Sequence, residues 1–170
     1  MQRAQLEHII RAASAIAGAQ EFIVVGSQAI LGAFPDAPSE LLVSIEADIF
    51  TLRNPTDADL IEGSIGEGSP FHQTFGYYAH GVGLETAVLP VGWEDRLVSV
   101  HNANTGGGIG RCLEVHDLAI SKLVAGRERD LDFVHALFRY NLADRQMVRE
   151  RLASTPLNET QRQFCLDHLK

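Results

Sequence analysis

The sequence predicts a mixed α/β domain of the α+β type, in which a small mixed sheet is followed by a tail of helices. Short apolar runs alternate with turns rich in glycine, serine and proline over residues 1–112, whereas residues 113–170 show helical periodicity. The chain has 170 residues, of which 45% are hydrophobic and 21% charged, values typical of one soluble domain with its own core. We therefore expect a single domain over residues 1–170.

The first part of the chain contains the elements expected to form the sheet. Apolar residues at three- and four-residue spacing predict a first helix that Gly18 ends. A continuous apolar run at residues 22–25 predicts a buried strand, and Gly26-Ser27 follows it. The predicted elements are a helix over 3–18, a strand over 22–25, a helix over 27–34, a strand over 41–51, a helix over 56–64, a loop over 63–76, strands over 77–80, 84–89 and 96–100, and a loop over 102–110.

The last part of the chain is predicted to be helical. Gly126 ends the first of these helices, and Asn158, which follows Pro156, is a predicted N-cap of the last one. We expect these helices to pack on the sheet. An alternative use of the apolar N-terminal helix is as a dimerisation surface. The predicted C-terminal helices cover residues 113–125, 128–140, 144–153 and 158–169.

Composition excludes several classes of protein. Acidic residues outnumber basic ones by 22 to 14, for a net charge of −8, which argues against a protein that coats nucleic acid but leaves room for a local basic strip. The apolar stretches are shorter than the roughly 20 residues that span a bilayer, and Glu7 and His8 interrupt any signal-peptide core, so we expect neither a membrane partner nor a signal peptide. Cys112 and Cys165 form no CxxC motif, which predicts a cytoplasmic location.

The best candidate for chemistry is the carboxylate pair Glu46 and Asp48. Alternation along the predicted strand puts the two side chains on one face. Carboxylate oxygens are the ligands that Mg²⁺ prefers, and substrate phosphates commonly complete its coordination. The simpler alternative is a solvated strand face.

Gly26 and Ser27 form a second candidate site, because they follow a buried strand and open a helix. Glycine allows close backbone approach, and the amides of a helix start together with a serine hydroxyl suit a phosphate group. The simpler alternative is a tight turn with Ser27 as N-cap.

The order of these motifs (strand, Gly-Ser at a helix start, acidic pair on the next strand) resembles the nucleotidyltransferase superfamily. In particular, residues 20–135 look like minimal stand-alone bacterial proteins related to the AbiEii-type toxins of toxin–antitoxin systems. The resemblance implies a small mixed sheet flanked by helices, with a third metal-binding carboxylate on a later strand. Glu85 matches that position, and Glu94 and Asp95 are neighbouring alternatives.

A second motif, residues 117–131, resembles the lysine-bearing helix and basic stretch of the same proteins. The resemblance implies that Lys122 and Arg127 contact nucleotide phosphates and that Asp130 lies near the active centre. Each residue has a simpler alternative. Lys122 would lie at the edge of the apolar stripe with its ammonium group in solvent. Asp130 would cap a helix over 131–140, and Arg127 and Arg129 would form a solvated turn.

The resemblance implies a nucleotidyltransferase that moves a nucleoside monophosphate from a nucleoside triphosphate to an RNA 3′ end, especially of tRNA, or to a protein hydroxyl. Glu46, Asp48 and Glu85 would hold Mg²⁺ or Mn²⁺, and a cognate antitoxin would be a partner. The sequence departs from the family pattern at Glu46, where Asp is usual, and at Leu42, where Arg is usual. These departures motivate the alternative of a catalytically degenerate module that binds nucleotide or a partner protein.

Overall fold

A five-stranded mixed sheet forms the centre of the protein in the computed structural model, which describes all of residues 1–170. The strands are β1 (Glu21–Val25), β2 (Glu46–Phe50), β3 (Tyr78–Gly81), β4 (Val98–Val100) and β5 (Ile109–Cys112). Their order in the sheet is β3-β2-β1-β5-β4. Strand β1 runs parallel to β5 and antiparallel to β2, β3 is parallel to β2, and β4 is antiparallel to β5. The predicted α+β class with a mixed sheet is therefore confirmed.

Helices flank this sheet and form the C-terminal part of the chain. Their bounds are α1 (Arg3–Ala17), α2 (Ile30–Ala33), α3 (Asp57–Ile65), α4 (Pro70–Phe75), α5 (Val115–Ala125), α6 (Glu128–Arg139), α7 (Arg145–Ala153) and α8 (Glu159–Asp167). Short 3₁₀ helices lie at Ser27–Ala29, Ser39–Leu41, Leu84–Thr86, Trp93–Arg96 and Ala103–Thr105. None of the helices combines the length and the apolar content that a membrane crossing requires.

The apolar face of α1 is buried inside the same chain. Leu6, Ile9 and Ile10 are fully buried in one apolar cluster with the sheet and α5. Gly110 of β5 leaves space for Ile10, because a methyl group at Gly110 would lie 2.5 Å from Cδ1 of Ile10. The alternative in which this face serves dimerisation is therefore wrong.

The second strand is shorter than predicted. It begins at Glu46, whereas Val43 and Ile45, which lie within the predicted strand over 41–51, precede it and are exposed. Neither neighbouring strand continues past this point, because β1 ends at Val25, the register partner of Asp48, and β3 begins at Tyr78, the partner of Glu46. Ile45 still accepts one hydrogen bond from the Tyr78 amide, but residues 41–44 have no strand to pair with.

Three further predictions are corrected. The strand predicted over 84–89 is wrong, since residues 84–86 form a 3₁₀ helix and the following residues pair with no strand. Strand β5 lies partly in the predicted loop over 102–110, and its four residues form a strand because they pair with β1 and β4. Helix α4 lies in the predicted loop over 63–76, and Ser69 at its N-cap before Pro70 was the sequence signal for it.

A buried carboxylate anchors α5, the helix that carries Lys122. Asp117 is inaccessible to solvent and accepts hydrogen bonds from Nε of Arg96, at 2.8 Å, and from Nη1 of Arg151, at 2.9 Å. Arg151 also donates to Glu114, the N-cap residue of α5. Burial raises the pKa of Glu114, but hydrogen bonds from His116 and Arg151 outweigh it and bring the pKa to about 2. This network joins α5 to α7 and to the 3₁₀ helix before β4.

We predict that Asp117→Ala lowers the free energy of unfolding by about 3 kcal/mol, because it leaves two partly buried arginines without their shared partner. Asp95→Ala is the matched control, since Asp95 is exposed and forms no ion pair, and it should change the value by less than about 0.5 kcal/mol. Urea unfolding measures both. Equal effects of the two substitutions would contradict an anchoring role for Asp117.

Candidate functional site

A cleft of about 640 Å³ opens beside the start of β2 and the start of α6. Its walls bring together residues from the β1–α2 turn, β2, β3, α5 and α6. The polar side chains that line it include Ser27, Glu46, Asp48, His80, Lys122, Arg127, Arg129 and Asp130. Its apolar lining consists of Leu41, Val43, Phe133 and Ala136. Six of the eight site residues predicted from the sequence thus line one cleft, and a seventh, Gly26, immediately precedes Ser27.

The acidic pair faces this cleft. Glu46 and Asp48 alternate along β2 with Ala47 and Ile49, which are fully buried on the opposite face. The alternation predicted for this part of the strand is confirmed, and the face that carries the two carboxylates forms part of the cleft wall.

The Asp48 carboxyl is largely enclosed, and its side chain is 21% exposed. Burial raises its pKa, a hydrogen bond from His80 lowers it, and the nearby Glu46 raises it again, so that the pKa lies above its ordinary value. Two like charges on one strand face and a partly dry environment both disfavour the ionised form. The site therefore holds negative charge that a cation would stabilise.

Gly26 packs directly against Asp48. The register pairs Val25 of β1 with Asp48, so the turn that follows β1 passes over the Asp48 carboxyl. A methyl group at Gly26 would overlap Oδ2 of Asp48, and Gly26 has φ +67°, in the left-handed region that glycine adopts at least cost. Close approach and backbone conformation both require glycine here.

Ser27 follows as the first residue of a 3₁₀ helix, with its side chain in the cleft. The alternative in which Ser27 is an N-cap is wrong, because Gly26 occupies that position and no side-chain capping bond forms.

The basic wall of the cleft is held by Asp130. This carboxyl is 1% exposed and accepts hydrogen bonds from Nζ of Lys122, at 3.0 Å, and from Nε of Arg127. Burial raises the pKa of Asp130, but the bonds from Arg127 and Lys122 outweigh it, and the pKa lies below its ordinary value. Helix α6 begins at Glu128 with Arg127 as its N-cap, so the alternative in which Asp130 caps a helix over 131–140 is wrong.

Lys122 and Arg127 remain close to the acidic pair even though Asp130 binds them. The charge of Lys122 lowers the pKa of Asp48. The pKa of Arg127 is raised mainly by its hydrogen bond to Asp130, and the charges of Asp48 and Glu46 raise it further. The ammonium group of Lys122 is held by Asp130 and lies 5.6 Å from the Phe133 ring. The alternative in which this group extends into open solvent is therefore wrong.

Glu85 does not join the acidic pair. It is exposed on the 3₁₀ helix Leu84–Thr86, outside the set of side chains that line the cleft. Glu94 and Asp95, its neighbouring alternatives, are exposed on another 3₁₀ helix. No three His, Cys, Asp or Glu side chains are grouped closely enough to hold a metal ion by themselves. The acidic pair thus consists of two carboxylates, and the other acidic residues that line the cleft, Glu40, Asp130 and Asp132, do not group with it to form a metal site.

Two residues of β3 were not predicted as site residues. The hydroxyl of Tyr78 donates to Oε2 of Glu46 at 2.9 Å, and Nδ1 of His80 lies 2.9 Å from Oδ1 of Asp48. The sequence contained one signal for them, since Tyr78 and His80 have the same two-residue spacing as the acidic pair. Only the register of β2 with β3 shows that the two pairs are opposite each other.

We predict that Gly26→Ala destabilises the protein more than Gly18→Ala does. Both glycines have positive φ, but a methyl group at Gly18 would meet no atom within 4 Å. The two glycines also differ in ψ, since Gly26 has ψ −174°, a conformation open essentially only to glycine, whereas Gly18 lies in the ordinary left-handed helical region. Gly18→Ala should cost about 1 kcal/mol of unfolding free energy from backbone strain, and Gly26→Ala about 1–3 kcal/mol more from its more strained backbone and from overlap with Asp48. Urea unfolding measures both, and the part of the excess that comes from overlap should disappear in an Asp48→Ala background. An excess that is unchanged there would contradict the overlap.

We also predict that Asp48→Asn stabilises the protein at neutral pH in the presence of a chelator. Folding raises the pKa of Asp48 above its ordinary value of 3.8, so that just above pH 3.8 the folded state binds this proton more tightly than the unfolded state does. The free energy of unfolding contributed by Asp48 therefore falls as the pH rises through this interval. The amide removes this cost at neutral pH and gives no gain well below the ordinary value. Thermal unfolding at both pH values, beside the exposed control Asp95→Asn, tests the prediction. An equal gain at both pH values would indicate packing as the cause.

Comparison with known proteins identifies a family for this chain. The sequence model of a family described as nucleotidyltransferase of unknown function (DUF6036) matches residues 4–167. No curated protein matches the chain, and no solved structure matches it. The matched region includes every strand of the sheet and all the residues that line the cleft. The chain therefore belongs to this nucleotidyltransferase family.

Proposed function

We propose that this protein is a divalent-cation-dependent nucleotidyltransferase, which transfers a nucleoside monophosphate from a nucleoside triphosphate to a hydroxyl group of an RNA 3′ end or of a protein. The observation that carries the proposal is the position of Glu46 and Asp48 opposite Lys122 and Arg127 in one cleft, beside the Gly26-Ser27 turn. A triphosphate needs positive charge along its length and a cation at the reacting phosphate. Lys122 and Arg127 would supply the positive charge, and Glu46 and Asp48 would bind the cation.

The donor set fits a hard divalent cation. Glu46 and Asp48 provide carboxylate oxygens, and Mg²⁺ is commonly bound by one or two carboxylates while water and substrate phosphates complete its coordination. Two protein ligands therefore suffice without Glu85. Bound Mg²⁺ or Mn²⁺ would stabilise the negative charge that develops on the phosphate oxygens.

The basic side chains would bind the phosphates that leave. Lys122 and Arg127 would neutralise the β- and γ-phosphates, Arg129 at the rim would add to this charge, and the Ser27 hydroxyl would donate a hydrogen bond. Asp130 holds Lys122 and Arg127 and so reduces the conformational freedom that they lose on binding.

The reaction would be an in-line displacement at the α-phosphate. The oxygen of the acceptor hydroxyl forms a new bond to phosphorus, the bond to the bridging oxygen of pyrophosphate breaks, and the hydroxyl proton passes to solvent. The contribution of the protein is to orient the two reactants and to stabilise charge.

The resemblance of residues 117–131 to the AbiEii-type proteins supports a more specific role as the toxin of a toxin–antitoxin pair. The acceptor would then be an RNA such as tRNA, and an antitoxin would cover the cleft or its substrate. The basic residues Lys122, Arg127 and Arg129 provide a local positive surface on a chain whose net charge is −8.

A second candidate function is a catalytically inactive module that binds nucleotide or a partner protein. One observation favours it, namely that Glu46 and Asp48 have no third carboxylate beside them. Such a module would bind nucleotide with no dependence on Mg²⁺, or would bind none.

The test is transfer of label from each α-labelled nucleoside triphosphate to total RNA and to total protein, in the presence of Mg²⁺ or Mn²⁺. We expect labelling that depends on the cation and falls by about 100-fold or more in Asp48→Ala, because the substitution removes electrostatic stabilisation of the transition state. The labelled fraction identifies the class of acceptor, and labelled tRNA would support the toxin role.

Two further variants make the test specific. Lys122→Ala should lose most of the activity, whereas its matched control Lys170→Ala, at an exposed position, should not. Glu85→Ala should retain activity because Glu85 lies outside the cleft. Absence of labelling with any nucleotide, together with calorimetry that shows nucleotide binding without cation dependence, would favour the inactive module.

A further inference from the structure

Strand β3 places one hydrogen-bond donor opposite each member of the acidic pair. The parallel register pairs Glu46 with Tyr78 and Asp48 with His80. Because side chains alternate along a strand, the two donors lie on the same face as the two carboxylates. The Tyr78 hydroxyl donates to Oε2 of Glu46 at 2.9 Å, and Nδ1 of His80 lies 2.9 Å from Oδ1 of Asp48.

Each carboxylate consequently has one engaged and one available oxygen. The available atoms are Oε1 of Glu46 and Oδ2 of Asp48, which accept no hydrogen bond from another group of the protein. Asp48 is restrained on both sides, since His80 holds Oδ1 and the backbone of Gly26 packs against Oδ2. The Asp48 carboxylate therefore has little freedom to rotate, and the Glu46 carboxylate is held at one oxygen by Tyr78.

We propose that Tyr78 and His80 are positioning residues, which orient Glu46 and Asp48 so that each carboxylate presents a single oxygen to one divalent cation. This inference rests on the proposed function and adds to it a role for β3. Groups that hydrogen-bond to metal ligands fix the orientation of those ligands, and their loss typically weakens metal binding by about 10- to 100-fold.

The surroundings of the two donors distinguish positioning from a purely structural role. The His80 side chain is 49% exposed at the mouth of the cleft, so its contact with Asp48 contributes little to folding. Tyr78 is buried, but Tyr78→Phe keeps the ring and removes only the hydroxyl that reaches Glu46. Both substitutions should therefore change cation binding far more than they change stability.

The test uses Mn²⁺ alone as the probe, with paramagnetic broadening of backbone amide signals in ¹⁵N spectra of the full chain as the readout. In the unsubstituted protein, Mn²⁺ should broaden the signals of Gly26 and Ala47 first, and Asp48→Ala should abolish this effect. Tyr78→Phe and His80→Ala should each raise the Mn²⁺ concentration needed for half-maximal broadening by about 10-fold or more. His80→Asn should recover part of the loss, since its amide group can donate to Asp48.

Matched controls exist for both substitutions. Tyr77→Phe removes a hydroxyl that bonds to His8 and not to the acidic pair, and His101→Ala removes a ring that contacts the Gly108 carbonyl. Neither should change the Mn²⁺ response, and thermal unfolding of all variants shows that they fold.

The outcomes separate the two proposals. In one outcome, Asp48→Ala abolishes the broadening at Gly26 and Ala47, whereas Tyr78→Phe and His80→Ala leave it unchanged. This result would overturn the positioning role and leave the cation site intact. Absence of localised broadening in the unsubstituted protein would overturn the cation site and the positioning role together.

Discussion

The pairing of Val25 with Asp48 in the antiparallel ladder of β1 and β2 is the constraint on which the candidate site depends. Strand β1 ends at Val25, and the next residue, Gly26, passes over the Asp48 carboxyl. A shift of the register by one residue would turn Glu46 and Asp48 towards the core and bring Ala47 into the cleft. The buried residues Ala47 and Ile49 prevent that shift, because their burial against the core stabilises only one register.

The opposite wall of the cleft depends on a buried ion pair. Lys122 lies within an otherwise apolar part of α5, and a buried ammonium group is costly unless a carboxylate pairs with it. Asp130 provides that partner from the first turn of α6 and also binds Arg127, the residue that precedes this helix. Gly126, with φ +66°, forms the sharp joint between the two helices that allows this contact. The same interaction thus joins α5 to α6 and holds two cationic groups near the acidic pair.

Features with a strong local pattern could be predicted from the sequence. The apolar run at residues 22–25, the alternation from Glu46 to Ile49 and the four C-terminal helices agree with the structure. Features that depend on a partner far away in the chain could not. Strand β5 has four residues and contains Gly110, so its own pattern is weak, and it is a strand because β1 and β4 pair with it. Glu85 lies between apolar and β-forming residues that locally favour a strand, but no neighbouring strand pairs with that segment.

Local sequence patterns were enough to predict the class of the fold, the acidic pair on one face of a strand, the Gly-Ser turn and the basic motif that contains Lys122 and Asp130. Each of these is a local property, because helical and strand periodicities and turn residues act over a few positions along the chain. Folding of the whole chain is needed to bring Tyr78 and His80, and not Glu85, beside Glu46 and Asp48, and to bring Asp130 to Lys122 and Arg127. These contacts depend on sheet order, register and helix packing, which are set by long-range burial of apolar surface that no short segment encodes.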